Sequence, residues 1–554
     1  MTARRLFFIY LLILLIPQVD VCVTERMVDI GKVVLIVLPL AFYWFFLLAF
    51  KNPSKAFLWA FPFAFLGAFQ IVLGYLYGRG VIGTDMWLTL MTTSPNEAGE
   101  MLTQIYPSVV AVCLIYLPSI GYAIWHVKRE QPYDKSFRRK MCIVGVLPLI
   151  LAIVPTTMAL RNDKYSFLDD FFPVNVCYNF KLAFARAHAS ANYKEACESF
   201  RFGVTESDSD TIPEVVLMVV GETSRGTNWN IIGYDRDTNP KLSRQSNLLV
   251  FGDCLSQSNA TYKSVPIILT RATAEDFDVL YTSKGVIAAA DEAGWATVFI
   301  SNEPRNHSFN DFIGEQAQEV RFQRDSLRGS PMDNLLIPLL HEALEKHKGE
   351  RLFMVIHTYG SHPTYSDRYT REEAYFKPDL AVKPTAENRK IITNAYDNSI
   401  RMTDGILSSF IAELDSTGRP AAMLYISDHG EDLYDDARKM YMHASPYPSY
   451  YQLHVPLICW TSDSYNALHE DRVGMMASRQ QDPLQSDCVY PTLLSLMGIK
   501  CNYGQTHLSL ADANYKKKTQ RTYLNDHNKM TPLEDAIEPI DIEVMKQRGM
   551  YVQE

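Results

Sequence analysis

Residues 214–225 of the chain read EVVLMVVGETSR, and residues 422–431 read AMLYISDHGE. Each stretch is a short apolar run that leads directly into charged and hydroxyl side chains. Runs of this length are typical of strands buried on both faces, as in the parallel sheets of α/β proteins. Because the carboxyl ends of parallel strands meet at one edge of the sheet, we expect the two polar clusters to lie together.

The rest of the second half of the chain repeats this pattern. Short apolar runs alternate with helical patterns, which predicts a largely parallel sheet flanked by helices. Two more runs lead into the polar clusters Ser301-Asn302-Glu303 and His357 with Ser361-His362, and Lys390 to Leu414 predicts one amphipathic helix. The predicted strands are Glu214 to Val220, Trp295 to Ile300, Leu352 to Ile356, Ala422 to Ile426 and Val455 to Trp460.

The first 160 residues hold nearly all the long apolar runs of this 554-residue chain. Each run is near the length that spans a bilayer, so the sequence predicts a membrane part before the α/β part. The first run follows two arginines and is also compatible with a cleaved signal peptide, although no small-residue cleavage site is evident. The five predicted spans are Leu6 to Cys22, Val33 to Phe50, Ala56 to Tyr77, Ser108 to His126 and Met141 to Leu160.

Lysine and arginine are distributed unevenly between the loops that join the five spans. In a five-span count most of them fall on one side, from Arg4 and Arg5 to the cluster between Lys128 and Lys140. By the positive-inside rule the amino terminus is cytoplasmic, and everything after Leu160 lies outside the cytoplasm. We therefore expect a membrane anchor at 1–160, a linker with bridging helices at 161–210, an extracytoplasmic catalytic domain at 211–530 and a tail at 531–554.

The overall charge argues against a nucleic-acid partner. The formal net charge is -9, whereas proteins that bind nucleic acids usually show a basic face or tail. No glycine-rich phosphate loop is present either, which disfavours nucleotide binding.

Glu222, Asp428 and His429 all follow predicted strands. Two carboxylates and one imidazole suit Zn²⁺, with one coordination position left for a reacting oxygen. The alternative is structural, with Asp428 capping a helix and His429 packed in a loop.

The segment from Ser256 to Ile267 supplies hydroxyl groups for that open position. A zinc ion would lower the pKa of a coordinated threonine hydroxyl and make it a nucleophile. Pro266 favours a nearby helix start, where free N–H groups bind phosphoryl oxygens. The chemistry alone leaves Ser258, Thr261 and Ser264 open.

Taken in order, the motifs of the second half resemble the phosphoethanolamine transferases that modify lipid A. That family belongs to the alkaline phosphatase and sulfatase superfamily, and the resemblance extends from Val215 to about Ile499. The motifs are Gly221-Glu222-Thr223-Ser224-Arg225, Gly233 to Pro240, Thr261 before Ser264-Val265-Pro266, His362, Asn394 to Asn398, Ser427-Asp428-His429-Gly430-Glu431 and His443.

The resemblance implies a sulfatase-like α/β domain behind a five-helix anchor, with zinc as cofactor. It implies that Glu222, Thr261, Asp428 and His429 bind zinc and that Thr261 carries the phosphoethanolamine group during the reaction. It also implies that His362 and His443 handle the phosphate and leaving group, or bind a further zinc ion.

Two features of the resemblance concern other parts of the chain. Thr93 and Glu97 match the family's loop near the donor headgroup, although Thr89 stands where the family usually has asparagine, and a helix-capping role is the alternative. Gln257 and Ile267 occupy positions that are commonly a bridged cysteine pair, so this bridge is missing.

The implied reaction is ping-pong transfer of phosphoethanolamine from phosphatidylethanolamine to a lipid A phosphate or core sugar. The resemblance also implies a multi-pass protein of the bacterial inner membrane with its catalytic domain in the periplasm. A phosphoglycerol transferase is the alternative within the superfamily. A sulfatase is disfavoured because its Cys/Ser-x-Pro-x-Arg motif needs an arginine two residues after the proline, and Ile268 stands there. A non-catalytic membrane sensor is the third alternative, and it would need an incomplete set of metal ligands.

Overall fold

The computed structural model describes residues 2–552 apart from residues 26, 78–79, 93–94, 130–131, 163, 206, 208–211, 306–307 and 326–331. The chain forms two compact units, Met1–Ala187 and His188–Glu554. The four-part division predicted from the sequence stays a prediction.

The first unit is helical. Among the described residues, four helical stretches are long and apolar enough to cross a membrane, Ala3–Thr24, Asp29–Ala49, Tyr106–His126 and Lys135–Ala159, and a bent pair of helices would make a fifth. Its helices, the last of which continues into the second unit, are α1 (Ala3–Thr24), α2 (Asp29–Ala49), α3 (Pro53–Trp59), α4 (Phe61–Tyr77), α5 (Thr84–Thr92), α6 (Pro95–His126), α7 (Lys135–Val144), α8 (Val146–Ala159), α9 (Phe167–Asp170) and α10 (Val174–Ala191).

The third predicted span, Ala56 to Tyr77, is not one continuous helix. The chain forms α3 and α4 there instead, and the two axes differ by 62°. Pro62 lies at the start of α4. Proline has no N–H to donate, and its ring clashes with the carbonyl group four residues earlier, so a helix breaks at this point.

The second unit is an α/β domain. Its helices are α11 (Tyr193–Ala196), α12 (Thr261–Leu269), α13 (Val286–Glu292), α14 (Phe309–Gly314), α15 (Leu336–Lys346), α16 (Arg389–Ser416), α17 (Tyr450–Leu453), α18 (Asp463–Leu468), α19 (Glu470–Ser478), α20 (Val489–Leu496), α21 (Leu533–Ala536) and α22 (Pro539–Gln547). Its strands are β1 (Val215–Gly221), β2 (Leu248–Phe251), β3 (Cys254–Leu255), β4 (Ala296–Ser301), β5 (Glu319–Phe322), β6 (Leu352–His357), β7 (Ala421–Ser427), β8 (Asp432–Leu433), β9 (Tyr441–Met442), β10 (Leu457–Thr461), β11 (Leu484–Gln485), β12 (Thr522–Leu524) and β13 (Met530–Pro532).

Seven strands form the central sheet, in the order β2-β10-β7-β1-β6-β4-β5. The pairs β7-β1, β1-β6, β6-β4 and β4-β5 are parallel, whereas β10 runs antiparallel to both of its neighbours. The five predicted strands are confirmed within one or two residues. The parallel strands β1, β4, β6 and β7 therefore bring their carboxyl ends to one edge.

The sheet is covered on both faces. Val216, Met218 and Val220 of β1 belong to one hydrophobic core, and the alternate residues of the same strand belong to another. Alternation of side chains along a strand explains this division. The predicted helix Lys390 to Leu414 is confirmed as α16, which buries Ile406 and Phe410 against the second core.

Candidate metal centre and active site

Glu222 lies at the first turn after β1. Its Oε1 accepts a hydrogen bond of 2.6 Å from Thr223 Oγ1, and Thr223 adopts a left-handed backbone with φ of 57°. The side chain of Glu222 is buried. The sharp turn after the strand thus directs this carboxylate towards the carboxyl-end edge of the sheet.

Asp428 and His429 lie at the corresponding turn after β7. Asp428 Oδ1 accepts hydrogen bonds from the backbone N–H groups of Thr223 at 3.1 Å and His429 at 2.7 Å. These bonds tie the turns of β1 and β7 together. Asp428 Oδ2 lies 3.3 Å from His429 Nε2 and remains available to a metal ion.

The orientation of His429 is set by its own loop. Its Nδ1 lies 2.9 Å from the carbonyl oxygen of Gly430, which can only accept a hydrogen bond, so Nδ1 carries the proton. The lone pair of Nε2 therefore points into the site, 3.7 Å from Glu222 Oε1. Burial lowers the pKa of His429, which keeps the imidazole neutral and suited to a metal ion.

Thr261 is the first residue of α12 and lies beside these ligands. Its Oγ1 is 3.3 Å from Glu222 Oε2 and 3.1 Å from His429 Nε2. The side chain is partly exposed, whereas Ser258 and Ser264 are buried. Ser264 donates to the carbonyl oxygen of Ala260 at 3.1 Å. Of the three hydroxyls that the sequence leaves open, Thr261 is the one that is both partly exposed and in contact with two predicted ligands.

The sequence predicts that His443 acts together with His362. In the structure, His443 lies closer to the metal ligand His429 than to His362. Among the described residues, potential ligand atoms of Glu222, His429 and His443 all lie within 4.8 Å of one another. The ring centres of His429 and His443 are 4.1 Å apart, and the ring centres of His362 and His443 are 6.4 Å apart. The structure thus brings together all four predicted ligands and His443, with His362 at the border of the cluster.

The two outer histidines are neutral at neutral pH. Burial lowers the pKa of His443 to about 4. Burial, together with the nearby His443, lowers the pKa of His362 to about 3. His362 donates from Nδ1 to the carbonyl oxygen of Pro363 at 2.9 Å, so its Nε2 carries a free lone pair.

Glu431 has a role that our sequence reasoning did not assign, although it stands inside the quoted motif. Its Oε2 lies 3.1 Å from His443 Nδ1, and its buried Oε1 has no hydrogen-bond partner among the described residues. Burial raises the pKa of Glu431 to about 8. The position of Glu431 two residues after His429 is the sequence signal that could have pointed to this role. The carboxyl group of Glu431 orients the imidazole of His443.

Two glycines allow the loops to approach so closely. A Cβ at Gly430 would lie 2.1 Å from the carbonyl oxygen of Tyr451. Gly360, with φ of +50°, has no room for a Cβ either, because it would lie 2.4 Å from the carbonyl oxygen of Glu222. Position 360 needs a positive φ and has no room for a Cβ, and only glycine meets both requirements.

The buried acidic residues fit a divalent cation. Burial and the charge of Asp428 raise the pKa of Glu222 well above its usual range. In the described part of the chain, neither Glu222 nor Asp428 has an ion pair with lysine or arginine. Like charges buried together need a compensating cation, and the carboxylate, imidazole and hydroxyl donors suit zinc.

The missing cysteine bridge is replaced by hydrogen bonds. Gln257 Nε2 donates to Asp487 Oδ2 at 3.2 Å and to Thr522 Oγ1 at 3.0 Å, while its Oε1 accepts from Ala274 N at 3.0 Å. All nine cysteines of the chain are free thiols. A polar network thus holds the segment that leads to Thr261.

The predicted headgroup contacts are not tested by the structure. Thr93 lies outside the described residues. The backbone of Glu97 belongs to α6, but its side chain also lies outside them.

Residues 214–499 match the sulfatase family, and this segment contains the four predicted metal ligands together with His362, Glu431 and His443. The chain belongs to the sulfatase family. Within this family it is similar to the phosphoethanolamine transferase EptA of Salmonella typhimurium, with 28% identity over 302 residues, 52% of this chain and 54% of that protein. The matched region thus spans about half the length of this curated relative.

Two solved structures share the fold of this sulfatase-family chain. The integral membrane phosphoethanolamine transferase EptA from Neisseria meningitidis superposes with a TM-score of 0.68 at 20% identity, covering 92% of this chain and 98% of that one. The periplasmic domain of EcEptC from Escherichia coli, solved in complex with zinc, gives a TM-score of 0.55 at 22% identity and covers 61% of this chain and 96% of that one.

Proposed function

We propose that the chain is a zinc-dependent phosphoethanolamine transferase that acts through Thr261. The observation that carries this proposal is the contact of Thr261 Oγ1 with both Glu222 and His429, at 3.3 and 3.1 Å. The relatives named phosphoethanolamine transferase support the same reaction. We propose phosphatidylethanolamine as donor and a lipid A phosphate or core sugar as acceptor.

Glu222, Asp428, His429 and Thr261 are the proposed zinc ligands. When bound, zinc would offset the buried carboxylate charge and favour ionisation of a nearby hydroxyl group. His443 is held by Glu431 within reach of the same atoms. In this proposal, the unprotonated Nε2 of His362 accepts a proton from the attacking acceptor oxygen, and His443 exchanges a proton with the leaving group.

The proposed reaction has two steps. In the first, Thr261 Oγ forms a bond to the phosphorus of the donor, the bond to diacylglycerol breaks, and diacylglycerol leaves with a proton. In the second, an acceptor oxygen bonds to phosphorus, the bond to Thr261 Oγ breaks, and the threonine hydroxyl is protonated again. A covalent intermediate of this kind gives ping-pong kinetics.

Mass spectrometry of the cell envelope tests the proposal. Lipid A and other envelope glycans are compared between cells that contain the wild-type chain, cells that contain an equal amount of Thr261→Ala, and cells that contain neither. We expect glycans carrying an added phosphoethanolamine group with the wild-type chain alone. An identical spectrum in all three would contradict the proposal.

A further inference from the structure

Two arginines, on the loops that follow β5 and β6, contact the aromatic ring that stacks on His362. The guanidinium carbons of Arg324 and Arg368 lie 3.7 and 4.4 Å from the centre of the Tyr359 ring. The Tyr359 ring in turn stacks on His362, with 4.9 Å between the ring centres. Stacking on aromatic rings is characteristic of guanidinium groups, so this pair is held at the border of the catalytic cluster.

Arg368 has unused hydrogen-bonding capacity although it is only 7% exposed. Its Nε donates to the carbonyl oxygen of Thr364 at 3.4 Å. In the described part of the chain, its two terminal nitrogens have neither a hydrogen-bond partner nor an ion pair. The side chain is therefore largely buried, while its terminal nitrogens still reach solvent at this border, where an anion can pair with them.

The charges of Asp333 and Asp367 act on Arg368, but no carboxylate among the described residues forms an ion pair or hydrogen bond with its terminal nitrogens. Asp333 is buried and accepts three hydrogen bonds of 2.8 Å, from Asn302 Nδ2 and from the backbone N–H groups of Tyr359 and Gly360. Glu303 forms no ion pair with Arg368 either, and its Oε1 is buried without a hydrogen-bond partner among the described residues. Asp333 therefore holds the loop that presents Tyr359, while Arg368 remains available to a ligand.

We infer that Arg368, assisted by Arg324, binds a phosphate group of the acceptor. Planar guanidinium groups pair with phosphate oxygens through two parallel hydrogen bonds, which suits the two unpaired nitrogens of Arg368. This inference rests on the proposed function and narrows it, because it selects a phosphorylated glycolipid over a neutral core sugar as the acceptor. The Tyr359 ring contacts both these arginines and His362, whose ring centre lies 6.4 Å from that of His443.

The two half-reactions of the full-length protein separate this role from a structural one. With phosphatidylethanolamine alone, adduct formation on Thr261 is followed by mass spectrometry. With lipid A added, in its phosphorylated form or after phosphatase treatment, transfer is measured as a function of acceptor concentration. We expect the wild-type protein to prefer phosphorylated lipid A.

Arg368→Gln should raise the KM for phosphorylated lipid A by about tenfold or more while adduct formation proceeds as in the wild type. Arg368→Lys should recover part of the loss because it keeps the charge. Arg371→Gln, at an exposed arginine of the same loop, is the matched control and should behave as the wild type.

Three results would overturn the inference. One is an unchanged KM for phosphorylated lipid A in Arg368→Gln, and another is an equal loss of adduct formation and transfer, which would indicate a structural role. The third is equal use of both acceptors by the wild-type protein. A wild-type protein that forms no adduct at all would overturn the proposed function and this inference with it.

Discussion

Replacement of Thr261 tests the proposed chemistry, because it should affect transfer and leave the fold intact. Thr261→Ala should abolish transfer, because no other hydroxyl contacts both Glu222 and His429 in the described structure. The protein should stay folded, since loss of a partly exposed hydroxyl and methyl group costs about 1–2 kcal/mol at most. Transfer is measured alongside the thermal midpoint.

Ser264→Ala is the matched control for this prediction. The hydroxyl group of Ser264 donates to the carbonyl oxygen of Ala260 and lies 3.4 Å from Asp428 Oδ2. Loss of this hydroxyl group should therefore weaken transfer without abolishing it. Peptide mass spectrometry after incubation with phosphatidylethanolamine should locate the adduct on Thr261. An adduct on Ser258 or Ser264 would refute the assignment.

The metal ligands should act as one unit. Asp428→Ala, like replacement of Glu222 or His429, should remove most of the bound zinc and abolish transfer, because ligands of one ion are not additive. Asp415→Ala, at an exposed aspartate near the end of α16, should retain both. Zinc content of the purified proteins is the measurement, and an Asp428→Ala protein with wild-type zinc and activity would show that the ligand set is wrong.

Glu222, Asp428 and His429 could be predicted from the sequence because each follows a strand that leads to the same edge, whereas Thr261 and His443 were predicted only from the resemblance. The sequence did not predict how close His443 comes to His429, at 4.1 Å between rings. That distance depends on the path of the short pair β8 and β9, and on the contact between Glu431 and His443. Neither leaves a periodic pattern in the sequence.

At the scale of elements, the strands buried on both faces were predictable as continuous apolar runs. The edge strands β2 and β5 were missed because only one of the four residues in each is buried, so neither reads as a core strand. The predicted third span is bent near Pro62, where local backbone chemistry interrupts the helix within a continuous apolar pattern.

The approach of the β6 loop to the β1 turn provides a prediction at this scale. Gly360→Ala should displace Glu222, because the new Cβ would lie 2.4 Å from its carbonyl oxygen and φ is +50°. We expect a loss of about 1–3 kcal/mol of folding stability together with weaker zinc binding. Gly349→Ala, where the added Cβ meets nothing within 4 Å, is the control.

Thermal denaturation and zinc titration of the two glycine variants measure these effects. Zinc affinity and stability equal to those of the wild type in Gly360→Ala would show that the two loops need not approach so closely. If Gly349→Ala also lost zinc affinity and stability, the effect of Gly360→Ala could not be assigned to the close approach of the two loops.

At the scale of the whole molecule, the one-sided distribution of lysine and arginine predicts the topology. A reporter enzyme that is active only outside the cytoplasm should work when fused after Leu160 and fail when fused between Lys128 and Lys140. The physical reason is the preference of basic loops for the cytoplasmic side. The reverse pattern of activity would place the site on the wrong side for periplasmic chemistry.

The most direct test of the central claim follows the donor headgroup. The full-length protein is incubated with phosphorylated lipid A and phosphatidylethanolamine labelled in its ethanolamine group, and in parallel with phosphatidylglycerol labelled in its headgroup glycerol. We predict that ethanolamine label appears on lipid A with an equal release of diacylglycerol, that Thr261→Ala transfers none, and that glycerol label is not transferred. Transfer of the glycerol label in place of ethanolamine would contradict the account and identify a phosphoglycerol transferase.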